Sequence, residues 1–134
     1  MLTGSCLCQG VRYEVAGTLG PVALCHCSMC RKASGSAFAS NASVAADDFH
    51  LRTGADLVQA YESSPGKFRH FCRACGSPLY AIDPQMPGWV RLRLGSLDGD
   101  PGARPAFHFA VESKAPWFDI TDDLPRIEAG PKSD

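Results

Sequence analysis

Alternation of apolar and polar residues over short stretches is the clearest pattern along this chain. In residues 11–15 an apolar side chain occupies every second position, which is the two-residue period of a strand with one buried face. Residues 89–94 show the same period, with valine and leucine facing one way and Arg91 and Arg93 facing the other. This second strand is therefore predicted to present its arginine face to water.

Turn-forming residues separate further short segments of strand character. Residues 63–66 read Ser-Ser-Pro-Gly and predict a break between two strands that pair as a hairpin. Helical periodicity is weak, apart from single turns around residues 28–33 and 46–48. The remaining predicted strands cover residues 37–40, 57–61, 67–71 and 106–111. The fold class is therefore predicted to be mainly β.

Length and composition favour one globular domain over residues 1–134. A single domain commonly has ~100–200 residues. The 45% hydrophobic and 20% charged shares are those of a folded globular chain. Glycine and proline are scattered along the chain, so neither a linker nor a repeat is indicated. Residues 128–134 are mostly polar and are expected to form a frayed tail.

The charge balance and the N-terminal residues narrow the partners and the compartment. With 13 Lys+Arg against 14 Asp+Glu, the net charge of -1 gives no field that would attract nucleic acid or anionic lipid. Residues 1–6 lack the basic flank and apolar run of a secretory signal, and no segment is apolar enough to span a bilayer. We expect a cytoplasmic protein with no nucleic-acid or membrane partner. The sequence does not indicate an oligomeric state.

Seven cysteines in three clusters carry the candidate chemistry. In the reducing cytoplasm such cysteines bind metal ions or act in catalysis more often than they form disulfides. A Cys-x-x-Cys pair alone also occurs in thioredoxin-like redox proteins, but those have a βαβ context that the predicted strands do not offer. We therefore predict zinc ligands. The clusters are Cys6 with Cys8, then Cys25, Cys27 and Cys30, and finally Cys72 with Cys75.

Spacing alone leaves two arrangements of these ligands open. In one, the two distant pairs form a closed four-thiolate site, and the middle triplet holds a second zinc whose fourth position is free for solvent or substrate. In the other, the triplet takes a fourth ligand from a histidine and closes a second structural site. The candidate histidines are His26, His50, His70 and His108.

Three motifs resemble those of the glutathione-dependent formaldehyde-activating enzyme family, also called the centromere-protein-V-like family. They are GSCLC at residues 4–8, CHCSMCRKASG at residues 25–35 and FCRACGSPL at residues 71–79. The C-terminal part of the chain also resembles the closing segment of the family. The residues concerned are Arg-Pro at residues 104–105, His108, SKAPW at residues 113–117 and Leu-Pro at residues 124–125. The resemblance covers about residues 4–125.

The resemblance implies a fold and a ligand pairing. The implied fold is the Mss4-like zinc-binding arrangement of small antiparallel sheets, also called a β-tent. The two distant pairs are implied to hold a structural zinc, and the triplet is implied to hold a catalytic zinc. We expect the zinc site of the triplet to be only partly occupied. Gln9 stands where the family usually has a glycine, which predicts a turn shifted by one residue onto Gly10.

The resemblance also implies an activity, the joining of glutathione to formaldehyde or a related small aldehyde to give S-hydroxymethylglutathione. This is a carbon–sulfur lyase-type reaction, and three thiolates on Zn²⁺ suit a thiol as the fourth ligand better than they suit the ionisation of water. Arg31, Lys32 and Arg73 lie beside the zinc loops and are the predicted substrate contacts, ahead of Arg91 and Arg93. Two alternatives remain open: a non-catalytic zinc module for a protein partner, and a redox sensor based on zinc and thiols.

Overall fold

The computed structural model describes residues 1–130 of the chain. Within them it has eleven β-strands, one α-helix and four 3-10 helices. The strands are β1 (Leu2–Ser5), β2 (Arg12–Val15), β3 (Val22–Cys25), β4 (Ala39–Ala45), β5 (Phe49–Thr53), β6 (Val58–Ser64), β7 (Lys67–Cys72), β8 (Pro78–Ile82), β9 (Trp89–Arg93), β10 (Pro105–Phe109) and β11 (Arg126–Ile127). The helix α1 covers Ser28–Ser34, and the 3-10 helices cover Ala46–Asp48, Ala55–Leu57, Leu94–Ser96 and Val111–Ser113. None of these helices is long and apolar enough to cross a membrane.

The strands form two sheets. The smaller sheet has three antiparallel strands in the order β1-β2-β5. The larger sheet has eight strands in the order β11-β10-β3-β4-β9-β8-β7-β6. In it β10 runs parallel to both β3 and β11, while the other pairs are antiparallel. The predicted mainly β fold is confirmed. One sheet is larger than the small antiparallel sheets expected from the resemblance, and it contains both parallel and antiparallel strand pairs.

Every predicted strand is present, although some bounds differ. The strand expected at residues 37–40 begins at Ala39 and continues to Ala45 as β4, and the predicted hairpin is β6 and β7. Five strands were not predicted: β1, β3, β5, β8 and β11. All four residues of β3 are buried, and so are the three central residues of β8. A strand buried on both faces shows no apolar–polar alternation, so a period-2 pattern cannot reveal it.

The main hydrophobic core is built from both sheets and surrounds one cysteine cluster. Tyr13 of β2 and Leu92 of β9 are among its fully buried residues, and the core also includes Cys6 and Cys72. Its other buried members are Val11, Val15, Val44, Leu79, Tyr80 and Val90. The apolar face of β9 therefore points into this core, as the alternation predicts.

The opposite face of the larger sheet brings arginines and a cysteine together. Side chains of directly paired residues point to the same face, and Arg69 and Arg91 lie in one row across β7, β8 and β9. Arg93 follows two residues after Arg91 and pairs with Asn41 of β4. Through the pairing of β4 with β3, this face also carries Cys25. The prediction of a water-facing arginine side is therefore incomplete, because both arginines of β9 are only partly exposed.

Candidate metal centres

The two distant cysteine pairs meet in a four-cysteine cluster, formed by Cys6, Cys8, Cys72 and Cys75. Their Sγ atoms all lie within 4.8 Å of one another. The Sγ atom of Cys8 is 3.5 Å from that of Cys6 and 3.9 Å from that of Cys72. Four thiolates bound tetrahedrally at about 2.3 Å from a zinc ion would lie about 3.8 Å apart. The cluster therefore has the size and the donors for one such ion.

Two similar turns present these ligands. In the first, the N–H of Gln9 donates to the carbonyl of Cys6 at 3.0 Å, and in the second the N–H of Gly76 donates to the carbonyl of Cys72 at 2.7 Å. The residue that follows the last cysteine is left-handed in both turns, with φ of 64° for Gln9 and 80° for Gly76. The predicted shift of the turn onto Gly10 is therefore wrong. Gln9 itself adopts a conformation that glycine adopts more readily.

Hydrogen bonds to sulfur favour the thiolate form at Cys75 and Cys6. At Cys8 the backbone N–H of Gly10 has the opposite effect to the neighbouring Cys6 sulfur, and the pKa is raised to about 11. Ser77 Oγ lies 3.2 Å from Cys75 Sγ, and this bond, together with backbone N–H groups, lowers the pKa of Cys75 to about 5. The N–H of Val11 donates to Cys6 Sγ at 3.3 Å. Because the thiolate is the form of cysteine that binds a metal ion, these bonds support ligation.

The remaining three cysteines, Cys25, Cys27 and Cys30, form the cysteine triplet. The short connection from β3 into α1 presents them. Cys25 is the last residue of β3, and Cys27 is the N-cap of α1, where its Sγ accepts the N–H of Cys30 at 3.3 Å. The three Sγ atoms lie within 4.8 Å of one another, and all three residues are buried. The triplet could therefore hold a metal ion with three protein ligands.

None of the four histidines joins the triplet in the described structure. His26 Nε2 lies 2.8 Å from His108 Nδ1, and His108 Nε2 lies 3.0 Å from a carboxylate oxygen of Asp122. His70 stacks on Tyr80 in the larger sheet, and His50 belongs to the smaller sheet. Within residues 1–130 no aspartate or glutamate joins the triplet either. The arrangement with a histidine as fourth ligand is therefore not the one that the structure shows.

The triplet opens onto a cavity of about 530 Å³. Its charged lining residues are Lys67, Asp83, Arg91 and Arg93, so cations outnumber anions. The remaining lining includes Asn41, Met86, Phe109 and all three triplet cysteines. A ligand in this cavity would have both the triplet sulfurs and a surplus of positive charge within reach.

The end of the described chain forms part of the cavity wall. The N–H of Glu112 donates to the carbonyl of Glu128 at 3.0 Å, and Ala129 and Gly130 line the cavity. These residues belong to the segment expected from the sequence to be a polar tail, and they lie against the sheet. Residues 131–134 of that predicted tail lie outside the described residues.

Two arginines approach the triplet from the sheet. Arg69 is 9% exposed, and its Nη1 lies 3.9 Å from Cys30 Sγ. Arg93 hydrogen-bonds through Nη1 to Asn41 Oδ1, and burial lowers its pKa to about 10. The pKa of Cys30 is lowered by hydrogen bonds from the other two triplet cysteines and by the charges of Arg93 and Arg69.

The three cations predicted as substrate contacts lie elsewhere. Arg31 and Lys32 are in α1, and Arg73 follows β7, where its Nε donates to the carbonyl of Asp56 at 3.1 Å. None of the three lines the cavity at the triplet. Their role in substrate binding stays a prediction.

Four other cations surround the triplet, and their position is not evident from the sequence. They are Lys67, Arg69, Arg91 and Arg93. The alternation in residues 89–94 signals that Arg91 and Arg93 share a face, but not what that face meets. That depends on the pairing of β9 with β4 and of β4 with β3, which brings together residues far apart in the chain.

These features define a class: a mainly β protein with two sulfur clusters of metal-binding geometry, one lying in a hydrophobic core and one open to a cationic cavity. The family model for the glutathione-dependent formaldehyde-activating enzyme matches residues 1–113, and the chain belongs to this family. The family resemblance noted in the sequence motifs is thereby confirmed.

Two individual proteins are similar to this chain. One, from Halomonas elongata, carries the provisional name glutathione-dependent formaldehyde-activating enzyme and is 36% identical over 129 residues, covering 90% of this chain and 81% of that protein. The other is a Rhodobacter sphaeroides protein with a crystal structure. It superposes with a TM-score of 0.64 at 25% identity and covers 73% of this chain and 89% of that one.

Proposed function

We propose that this protein is a zinc-dependent enzyme that joins glutathione to formaldehyde or a related small aldehyde, giving S-hydroxymethylglutathione. The observation that carries the proposal is the triplet: three buried sulfurs within 4.8 Å of one another, open to a cavity large enough for a tripeptide and lined by cations. Family membership supports the same reaction class. The proposed compartment is the cytoplasm, where thiols are kept reduced.

The ligand sets fit zinc at both centres. The four-cysteine cluster offers a closed tetrahedral set, and sulfur-rich tetrahedral sets are typical of Zn²⁺. Cys25, Cys27 and Cys30 would hold the second ion with three ligands, as catalytic zinc sites do. When bound there, zinc supplies an open coordination position and a positive charge that favours the thiolate form of a thiol.

The proposed chemistry needs no change of oxidation state. The sulfur of glutathione forms one C–S bond to the carbonyl carbon of the aldehyde, and the electron pair of the C=O π bond moves to oxygen. The thiol gives up one proton and the resulting alkoxide gains one, so atoms and charge balance. No redox cofactor is therefore required. What the protein contributes is binding, orientation and a charge environment that favours the thiolate.

The charged cavity wall provides contacts for the rest of the substrate. Glutathione carries two carboxylates, and Lys67 and Arg91 are lining residues that form no ion pair with a carboxylate in the described structure. Arginine and lysine bind carboxylates by charge-assisted hydrogen bonds. We therefore assign these two residues to substrate recognition, in preference to Arg31, Lys32 and Arg73.

The test is exchange of label between formaldehyde hydrate and its glutathione adduct, measured by NMR with and without catalytic amounts of the zinc-loaded protein. We expect faster exchange with the wild-type protein and no acceleration with Cys27→Ser, which removes one triplet ligand. Glutathione binding without any acceleration would instead favour a non-catalytic module. An absence of both binding and acceleration would refute the proposed function.

A further inference from the structure

We propose that Arg69 and Arg93 are positioning residues that hold two fixed positive charges against the cysteine triplet, so that the site accepts the sulfur of its thiol substrate as an anion. This inference rests on the proposed function. It goes beyond it by naming the residues that select the charge of the incoming sulfur. Neither residue follows from the cysteine motifs, because both are brought to the triplet by the pairing of distant strands.

Arg69 contacts a sulfur of the triplet directly. Its Nη1 lies 3.9 Å from Cys30 Sγ, its Nε donates to Ser63 Oγ at 3.0 Å, and its Nη2 is buried with no hydrogen-bond partner. A buried guanidinium that is only partly satisfied is costly unless an anion compensates it. The nearest candidate anions are the sulfurs of the triplet and any anionic ligand beside them.

Arg93 lies on the same face of the larger sheet, in β9. It is partly exposed, lines the triplet cavity and is oriented by Asn41, whose side-chain oxygen accepts its Nη1. Asn41 is itself 2% exposed, so this contact fixes the guanidinium by a buried neutral group. Its positive charge is therefore left available to the cavity.

Burial sets Arg69 apart, because it is the only buried arginine of residues 1–130 and water cannot solvate its charge. Arg52 pairs with Glu14 and Arg104 pairs with Asp100, each at 2.8 Å. In residues 1–130, Arg69 and Arg93 form no ion pair with any carboxylate. Buried charges in proteins are normally paired. The partner of this arginine pair is therefore the charge of the triplet site.

The charge balance explains why two cations are needed. Three thiolates and one divalent ion carry a net charge of about -1, and a substrate thiolate brings the total to about -2. Two guanidinium groups neutralise that total. Without them, the negative charge of the site would oppose an anionic ligand, whereas a neutral ligand would be hardly affected.

The experiment uses protein with Co²⁺ in place of zinc, because cobalt absorbance reports the ligands of the metal directly. Wild type, Arg69→Met, Arg93→Met, Arg69→Lys and Arg93→Lys are titrated with mercaptoethanol, a thiol without carboxylates, and separately with imidazole at about pH 8, where imidazole is neutral. Arg52→Met is the matched control, since it removes one exposed arginine of the smaller sheet.

We expect each methionine variant to bind mercaptoethanol at least about tenfold more weakly, because each removes a positive charge that faces the triplet site. Imidazole binding should be little changed, the lysine variants should recover part of the thiol affinity, and Arg52→Met should match the wild type. Equal weakening for both ligands would mean a merely structural role, and unchanged mercaptoethanol binding would also overturn the proposal.

The same titrations separate this inference from the proposed function. Wild-type protein that binds mercaptoethanol with the expected arginine dependence but does not accelerate aldehyde exchange would support the arginine proposal and defeat the enzymatic one. If the wild-type protein accelerates exchange and the methionine variants bind mercaptoethanol normally, the enzymatic proposal is supported and the arginine proposal is defeated. No cobalt response to mercaptoethanol in the wild type would overturn the arginine proposal.

Discussion

The two cysteine clusters differ in how far apart their ligands lie along the chain and in what surrounds them. The four-cysteine cluster joins Cys6 and Cys8 to Cys72 and Cys75, and two of these residues belong to the main hydrophobic core. The triplet takes all its ligands from residues 25–30 and lies against arginines and a cavity. A metal ion at the first centre would cross-link distant segments, whereas one at the second would constrain only a short connection.

This difference separates a contribution to folding from a contribution to chemistry. Closing a long loop removes much of the conformational freedom of the unfolded chain, and the closed four-sulfur set leaves no position for a substrate. The triplet has one ligand fewer, and the apolar cluster around it, which includes Ala39 and Ala110, is smaller than the main core. It also has an open side.

Cys72→Ser should abolish the folded state. Cys72 is fully buried in the main core, and apparent binding free energies of structural zinc sites of about 10–16 kcal/mol match or exceed the whole stability of a typical domain, about 5–15 kcal/mol. Circular dichroism and thermal unfolding would measure the loss, and prolonged chelation of the wild-type protein should reproduce it. A folded Cys72→Ser variant of near-normal melting temperature would remove the structural role assigned to this cluster.

Cys27→Ser should leave the fold intact and remove the activity. Cys27 is a ligand of the triplet and the N-cap of α1, and the buried cluster around it is smaller than the main core. We expect a melting temperature close to that of the wild type, one bound zinc in place of two, and no acceleration of aldehyde exchange. Metal analysis after anaerobic purification measures the number of bound zinc ions, and a melting curve measures the stability. A melting loss as large as that of Cys72→Ser would show that the triplet is structural too.

The cysteine ligands were predictable from sequence because each of the two pairs and the triplet is local in the chain. Two cysteines a few residues apart can reach one ion from a single turn, so their spacing carries the information. The strands β2 and β9 were predictable for a similar reason, since each has one apolar face. The pairing of the distant clusters followed from the family resemblance, and spacing alone left it open.

The charged side of the site could not be predicted in the same way. Arg93 reaches the triplet only because β9 pairs with β4 and β4 with β3, and Arg69 also needs β8 to join β7 to β9. No local pattern specifies that order. The strand β3 is buried throughout and shows no alternation, so the element that carries Cys25 was itself missed. Proximity to the cysteines in sequence favoured Arg31, Lys32 and Arg73, which the fold directs elsewhere.

Arg91→Met should weaken glutathione binding without affecting the chemical step. A charge-assisted hydrogen bond contributes about 1.5–3 kcal/mol, so KM for glutathione should rise about 10–100-fold while kcat changes little. Exchange rates measured at several glutathione concentrations would show this. Lys32→Met is the matched comparison, because Lys32 is exposed and lies outside the cavity lining. A larger effect at Lys32 than at Arg91 would return the substrate contacts to the residues favoured by the sequence.

Gln9→Gly and Gly76→Ala should shift stability by small and opposite amounts, because each turn of the four-cysteine cluster has a left-handed residue directly after its last cysteine. Gln9 has φ of 64° and Gly76 has φ of 80°. A left-handed conformation costs a residue with a Cβ about 1–2 kcal/mol, and the greater freedom of glycine in the unfolded chain offsets part of that. We expect a gain of about 0.5–1 kcal/mol for Gln9→Gly and a loss of about 1 kcal/mol for Gly76→Ala.

These small shifts are attributable to the backbone alone. A Cβ at Gly76 would meet no atom within 4 Å, and the side chain of Gln9 accepts only an exposed hydrogen bond from Arg12. Chemical denaturation of the zinc-loaded protein would measure both changes against the wild type. Gly35→Ala is the matched control, because it places the same strain, at φ of 66° and with no atom within 4 Å, at the C-terminal end of α1, the helix whose N-cap is Cys27 of the triplet. If Gly35→Ala alone lowered zinc affinity at the four-cysteine cluster, the two centres would not be independent and the division of roles between them would fail.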